Sequence, residues 1–220
     1  MFSINMYDHP SAKDSALTDM AISAKTSAHK NILKLVGCCL ETSIPTLVYE
    51  YAQNGVLADQ IYISRRQGTP IVWQSRLKIA RHIAHAIAYL HTGFSRPIIH
   101  RDIKSENIFL DQHDVPKLTD FSLSISIPEG ETHVEVDGVF GTWGFLCPCY
   151  INTSRVSEKT DIYSSGMFLL HLFTGQDSHG LSKLVFEKKK EMLGDYLRNR
   201  ALSEIGDPAI LAKKGGVGVE

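Results

Sequence analysis

Four side chains between residues 100 and 120 have the types and spacing that phosphoryl transfer requires. Asp102 could accept the proton of an attacking hydroxyl, and Lys104 could neutralise the phosphoryl group as it moves. Asn107 and Asp120 carry oxygen atoms that could hold Mg²⁺ against a polyphosphate. A lone His-Arg-Asp triplet is weak evidence. The whole stretch HRDIKSENIFLDQHDVPKLTD, with apolar strand-like runs between its polar residues, is a strong indication of this chemistry.

Two predicted helices must position this stretch. Apolar residues recur at three- and four-residue steps from 73 to 91, which predicts a long buried helix that ends at Gly93. The residues of this stripe are Trp73, Leu77, Ala80, Ile83, Ala84, Ile87 and Leu90. A second helix is predicted at about residues 159–174, with Ser157 near its start and Gly175 at its end.

Shorter elements are predicted in the first fifty residues. Residues 2–7 read as a short strand and residues 14–27 as a helix. Residues 32–39 and 45–51 read as two strands on either side of the polar turn Glu41-Thr42-Ser43. A small sheet with one helix is therefore predicted ahead of the larger helical part.

Several segments also carry a family resemblance. The segments HKNILKLVGCCLE, TLVYEYAQNGVL, IARHIAHAIAYLH, GTWGF and EKTDIYSSGMFLLHLFTG are similar, in the same order, to segments of plant receptor-like kinases of the wall-associated type. The chain therefore resembles a protein kinase domain over roughly residues 2–210. Its stretches DFSLSISIPEGET and DMAISAKTSAHKN resemble a small subgroup of plant pseudokinases that serve as adaptors for intracellular immune receptors.

The resemblance implies an α+β, two-lobed kinase fold with a truncated β-rich small lobe and a mainly helical large lobe. Residues 1–53 would be a partial small lobe with the third strand, the regulatory helix, two further strands and the hinge. Residues 54–212 would form a large lobe that is incomplete at its C-terminal end, with an exposed helix at 183–200. Residues 213–220 would be a disordered tail.

The resemblance implies that this chain lacks several residues with which kinases bind nucleotide. Kinases need a Gly-rich strand pair, a lysine on the third strand and a helix glutamate that pairs with it. No G-x-G-x-x-G precedes the catalytic stretch, and Phe-Ser-Ile-Asn puts Asn5 at the lysine position. Counting back from His29 puts Met20 at the glutamate position, with the adjacent Asp19 turned about 100° away on the helix. An alternative register would let Lys13 or Lys25 compensate.

Other nucleotide contacts are implied by the same resemblance. Glu50 and Ala52 would lie in the hinge against the nucleotide base, and Asn107 and Asp120 would bind Mg²⁺. Serine replaces glycine in the family's Asp-Phe-Gly, and Ser122 reaches positive φ less freely than glycine does. Binding of Mg-ATP is therefore expected to be weak or absent.

Four residues outside the nucleotide site also have expected roles. The resemblance implies that Thr142 contacts Asp102 and Lys104, and that Asp161 accepts backbone N–H groups of the His-Arg-Asp turn. Arg101 would meet nearby acids or a phosphorylated residue. These acids are Glu129, Glu131, Glu135 and Asp137. His82 is expected on a solvated helix face.

Composition describes an ordinary globular protein, with 43% apolar residues and a formal charge of −1. No basic excess favours nucleic acid as a partner, and four cysteines in 220 residues favour reduced thiols over a disulfide scaffold. No secretory signal and no transmembrane segment is recognisable in the sequence. A cytoplasmic location is expected, with attachment to the plasma membrane only through partners.

Three functions remain open at this point. The first is a degenerate pseudokinase that acts as an adaptor or decoy in plant immune signalling and binds an immune receptor and other receptor-like cytoplasmic kinases. The second is a weakly active, ATP-dependent Ser/Thr kinase. The third is a truncated gene product without a stable fold.

Overall fold

The computed structural model describes residues 3–5, 12–67 and 71–176 of this chain. Side chains are described for residues 12–63 and 71–176. The helix predicted at 183–200 and the tail predicted at 213–220 lie outside the described residues. The division of the chain at residue 53 stays a prediction.

The N-terminal part contains a three-stranded antiparallel sheet and one helix. Strands β1 (Ser3–Asn5), β2 (Leu35–Cys39) and β3 (Thr46–Tyr49) form the sheet in the order β1-β3-β2. Helix α1 (Ala12–Thr26) packs against β2 and β3. All four elements were predicted, with strands that are shorter than expected.

The ends of these strands have physical reasons. Pro45 precedes β3 because proline has no N–H to donate to a ladder. Ile32 pairs instead with Leu118, and the backbone N–H of Leu33 donates to the carbonyl of Leu118 at 2.9 Å. The core beneath the sheet consists of Leu33, Leu47, Tyr49 and Ala52, with Met20, Leu35 and Phe109 packed against it.

Four α-helices follow the sheet within the described residues. They are α2 (Leu57–Gln67), α3 (Trp73–Thr92), α4 (Pro148–Thr153) and α5 (Glu158–Thr174). The predictions of α3 and α5 are confirmed, whereas α2 and α4 were not predicted. The start of α5 is fixed by a capping box between Ser157 and Thr160, and its end by Gly175 with φ of 67°.

The buried face of α3 differs from the predicted stripe. Trp73 and Leu77 are 37% and 46% exposed, whereas Arg76 is fully buried. The Arg76 guanidinium donates to the carbonyl of Ile71 at 2.9 Å and to the carbonyl of Leu172. Backbone carbonyls therefore allow a charged residue to occupy the face of α3 that contacts α5.

Three short β-pairs connect the helices. Strand β4 (Ile98–Ile99) pairs with β7 (Ile125–Ser126), β5 (Ile108–Leu110) with β6 (Pro116–Leu118), and β8 (Val134–Glu135) with β9 (Arg155–Val156). A 3₁₀ turn at Ser105–Asn107 leads into β5. The β4–β7 and β5–β6 pairs hold the stretch between residues 100 and 126 against a core shared by α3 and α5. Buried side chains of that core include Ile79, Ile83, Leu90, Phe121, Phe145 and Phe168.

Strand and helix content together agree with the predicted α+β class. None of the helices among the described residues is both long and apolar enough to cross a bilayer.

Candidate active site

The loop between β4 and β5 places Asp102 at the centre of a closed polar network. Lys104 Nζ lies 2.7 Å from Asp102 Oδ2 and donates to Thr142 Oγ1 at 2.7 Å. Thr142 Oγ1 in turn donates to Asp102 Oδ1 at 2.6 Å. The predicted contact of Thr142 with both residues is confirmed. This network fixes both oxygens of the carboxylate that would accept a proton.

The charge of Asp102 follows from the same contacts. Burial raises the pKa of the Asp102 carboxyl, but four nearby interactions outweigh burial and hold that pKa below its ordinary value. They are the charge and hydrogen bond of Lys104, the hydrogen bond from Thr142 and the charge of His100. Asp102 is therefore ionised at neutral pH, as a proton acceptor must be.

Asn107 and Asp120 are brought together by the β5–β6 pair. Ile108 is the register partner of Leu118, and the backbone N–H of Thr119 donates to the carbonyl of Asn107 at 3.0 Å. Asn107 Nδ2 donates to the Asp102 carbonyl at 2.9 Å and to Asp102 Oδ2 at 3.0 Å. Both of these bonds use Nδ2 and neither uses the side-chain oxygen of Asn107. No residue with a described side chain donates a hydrogen bond to that oxygen.

Asp120 occupies an unusual backbone conformation. Its φ is 65°, in the left-handed region that aspartate tolerates better than most residues. The φ of Ser122 is not positive, so serine at this position causes no backbone strain. Ser122 acts through its side chain instead, because its Oγ donates to Asp120 Oδ1 at 2.6 Å.

The residues of this site are better suited to bind the cation of Mg-ATP than to bind its phosphates. Asn107 and Asp120 offer the oxygen ligands that Mg²⁺ prefers, although one Asp120 oxygen already accepts the Ser122 hydroxyl. The structure places Asn5 on β1, opposite Leu47 of β3. That Asn5 takes the family's lysine position stays a prediction, and an amide there would carry no charge to offset a phosphate.

The prediction that Met20 occupies the glutamate position is wrong. Asp19 is fully buried, and its Oδ1 accepts the backbone N–H of Phe121 at 3.1 Å and the Ser23 hydroxyl at 2.9 Å. Met20 is partly buried against the small-lobe core instead. Counting from His29 gave a register one residue off.

Two further contacts of α1 complete this correction. The Tyr49 hydroxyl lies 3.1 Å from Ser23 Oγ, and burial together with the negative charge of Asp19 raises the pKa of Tyr49. Tyr49 therefore stays protonated and ties β3 to α1. Lys25, one of the two lysines considered as compensation, lies over the Phe94 ring at 4.4 Å from its centroid.

The proposed hinge residues are held by backbone and charge contacts. Glu50 N–H donates to the Lys34 carbonyl at 2.9 Å, and Glu50 Oε1 accepts the Lys34 N–H at 3.1 Å. Lys117 Nζ lies 3.4 Å from the same carboxylate oxygen. Ala52 is buried in the small-lobe core. A nucleotide-binding role for Glu50 and Ala52 stays a prediction.

The expectation that nearby acids engage Arg101 is wrong. No carboxylate among the residues with described side chains lies within ion-pair distance of the Arg101 guanidinium. Its guanidinium donates to the Leu123 carbonyl at 3.1 Å and to the Tyr150 hydroxyl, and it lies against the rings of Phe140 and Tyr150. Of the four acids, Glu135 pairs with Arg155 at 2.8 Å.

Asp161 performs the predicted structural role. The buried carboxylate accepts the backbone N–H of His100 at 2.8 Å and that of Arg101 at 2.9 Å. His91 Nε2 lies 2.9 Å from the same carboxylate, a contact that was not predicted. The expected exposure of His82 is wrong, because this side chain is only 8% exposed.

Comparisons with known proteins agree with this geometry. Residues 3–198 of this chain match the protein kinase domain family. Non-functional pseudokinase ZRK2 of Arabidopsis thaliana is 41% identical over 198 residues, which are 88% of this chain and 55% of the relative. Non-functional pseudokinase ZED1 of the same plant is 47% identical over 161 residues, which are 73% of this chain and 47% of the relative.

A third relative is named as a kinase. Serine/threonine-protein kinase ZRK1 of Arabidopsis thaliana is 40% identical over 203 residues, which are 88% of this chain and 56% of the relative. Wall-associated receptor kinases of that plant match as well, which confirms the predicted receptor-like group. The chain spans about half the length of the first three of these relatives.

Proposed function

Since this chain belongs to the protein kinase family, we propose that it is a degenerate kinase domain that acts as an adaptor or decoy in plant immune signalling. The observation that carries the proposal is Asn5, a neutral amide on the strand where kinases hold a phosphate-binding lysine. The names of ZRK2 and ZED1 support it, because both of those proteins are called non-functional pseudokinases.

Electrostatics supports the loss of catalysis. A kinase domain generally uses Mg-ATP, and its lysine–glutamate pair positions the phosphates. Here the acid on α1 is Asp19, whose carboxylate accepts the Phe121 N–H and the Ser23 hydroxyl. Removal of one preorganised charged donor typically costs about 10²- to 10³-fold in rate. Mg-ATP binding by this chain is accordingly weak or absent, and phosphoryl transfer is very slow.

Protein partners follow from the resemblance to immune adaptors. We expect an intracellular immune receptor and other receptor-like cytoplasmic kinases to bind this domain. The corresponding location is the cytoplasm, with attachment to the plasma membrane through those partners.

A weakly active Ser/Thr kinase is the second candidate. The network of Asp102, Lys104, Thr142 and Asn107 favours it, because the groups that would handle the substrate hydroxyl remain in place. The name of ZRK1, a serine/threonine-protein kinase, favours it as well.

Phosphate transfer by the full chain and by Asp102→Asn distinguishes the two candidates. The assay uses labelled Mg-ATP and a general protein substrate, and an active kinase domain purified in the same way is the positive control. We expect the wild-type protein and Asp102→Asn to give the same background signal and to bind the immune receptor equally well. Transfer by wild type that Asp102→Asn abolishes would contradict the pseudokinase function.

A further inference from the structure

The feature that carries a further inference is the hydrogen bond between Ser122 and Asp120. Ser122 Oγ donates to Asp120 Oδ1 at 2.6 Å, and the Ser122 backbone N–H lies 3.4 Å from the same oxygen. Any residue other than proline supplies that backbone N–H. The hydroxyl is therefore the contact that serine adds at this position.

The Ser122 hydroxyl and a divalent cation would both use lone pairs of Asp120 Oδ1. Mg²⁺ and Mn²⁺ bind oxygen lone pairs directly, at metal–oxygen distances near 2 Å. The bond that Ser122 donates to Oδ1 occupies a lone pair of that carboxylate oxygen. A cation that uses this oxygen must first break the bond to Ser122 or turn the hydroxyl away.

We propose that the Ser122 hydroxyl competes with the divalent cation for Asp120 and thereby lowers the cation affinity of the site formed by Asp120 and Asn107. This inference deepens the proposed function and rests on it, because it identifies a second residue, beside Asn5, that weakens Mg-nucleotide binding. The contact costs the fold nothing in backbone strain, since Ser122 lies outside the left-handed region.

The other cation ligand gives no equivalent obstacle. Asn107 directs its Nδ2 to the carbonyl and the carboxylate of Asp102, so its oxygen stays available. Lys104 Nζ lies 2.7 Å from Asp102 Oδ2 and, among the described side chains, forms no ion pair with Asp120. The competition is therefore confined to the side chain of Ser122.

Binding of Mn²⁺ alone to the full chain tests the proposal. Free Mn²⁺ is followed by electron paramagnetic resonance during titration of wild type and Ser122→Ala. A hydrogen bond to a charged group corresponds to about a tenfold or larger change in an equilibrium constant, so Ser122→Ala should bind Mn²⁺ about tenfold more tightly. Ser122→Thr keeps a hydroxyl and should bind like wild type.

Asp120→Asn provides the background for Mn²⁺ sites elsewhere on the protein. In that variant, adding Ser122→Ala should give no gain in affinity. The thermal midpoint of every variant is measured first, and Ser122→Gly replaces Ser122→Ala if the latter does not fold. A variant without the hydroxyl that binds Mn²⁺ no tighter than wild type would overturn the inference, and tighter binding by wild type would show that Ser122 is itself a ligand.

These results are separable from those of the phosphate-transfer assay. A wild-type chain that transfers phosphate through Asp102 contradicts the proposed function whatever the Mn²⁺ affinities are. Equal Mn²⁺ affinities in an inactive chain contradict only the role of Ser122.

Discussion

Replacement of Asp161 by alanine should destabilise this domain more than any other single change of a carboxylate discussed above. The Asp161 carboxylate is fully buried and accepts two consecutive backbone N–H groups, those of His100 and Arg101. It also lies 2.9 Å from His91 Nε2. These contacts join α5 and α3 to the loop that carries Asp102.

The magnitude follows from what the alanine variant leaves behind. Each hydrogen bond to a charged acceptor contributes about 1.5–3 kcal/mol, and an unpaired buried donor costs a similar amount. Arg101 adds to the loss because its φ of 72° is unfavourable for a non-glycine residue and must be held by its surroundings. We expect Asp161→Ala to lower the free energy of unfolding by about 3–5 kcal/mol. That is a large share of the roughly 5–15 kcal/mol that stabilises a typical domain.

Urea unfolding at neutral pH, followed by circular dichroism, measures this difference. Asp137→Ala is the matched control, because Asp137 is exposed, and it should change the free energy of unfolding by less than about 0.5 kcal/mol. Asp161→Asn should lie between the two, since its amide retains one acceptor oxygen. A loss of less than about 1 kcal/mol in Asp161→Ala would refute the reasoning, because unsatisfied buried donors cannot be that cheap.

Three further predictions concern Asp102, His82 and Asp19. The pKa of Asp102 is lowered in the folded state, so its ionised form stabilises the fold above its ordinary pKa of about 4, and this contribution is lost as the pH falls through the lowered value. The difference in free energy of unfolding between wild type and Asp102→Asn should therefore shrink on acidification in urea titrations, and a constant difference would contradict the assignment. The pKa of His82 is lowered by burial first and then by the charges of Arg81, Lys30, Lys78 and His85. Because the folded state favours neutral His82, wild type should lose more stability than His82→Gln as the pH falls through about 6.5. Parallel pH profiles for wild type and His82→Gln would count against this, and His113→Gln serves as the exposed control. Asp19→Ala should lower the free energy of unfolding by about 2 kcal/mol and reduce the effect of Ser23→Ala, and strictly additive effects in a double-mutant cycle would show that the two side chains are not coupled.

Elements with strong local signals were predictable from the sequence. The ends of α5 follow from Ser157 and Gly175, and both residues perform the expected capping roles. The length of α3 follows from its apolar repeat. Helix α4 has six residues, too few to show a helical repeat, and α2 buries only Leu57 and Ile61 among its described side chains, so neither helix gave a signal.

The phase of a helix was the main failure at the candidate site. The buried face of α1 consists of Ala12, Ala16, Asp19, Ser23 and Thr26. These residues are small or polar, so hydrophobic periodicity could not show which side faces the core. The polar face is buried because it meets Tyr49 and the backbone of Phe121, which lies 102 residues from Asp19 in the chain.

Local spacing explains why part of the site was found. Asp102, Lys104 and Asn107 lie within one loop, and their mutual contacts depend on that loop and on Thr142. The sequence could not show that none of the described carboxylates pairs with the Arg101 guanidinium, because the path of residues 128–138 decides which side chains reach that group. Glu135 in that segment is held by the β8–β9 pair and bonds to Arg155 instead.

Thermal unfolding of the purified chain with and without Mg-ATP tests the central claim most directly. A ligand that binds the folded state stabilises it by about 2.7 kcal/mol at a hundredfold excess over its dissociation constant. We predict one cooperative transition whose midpoint does not move with millimolar Mg-ATP, as expected for a folded kinase domain with a defective nucleotide site. A midpoint that rises by several degrees would contradict this account, because it would mean that the site binds nucleotide without the lysine that Asn5 replaces.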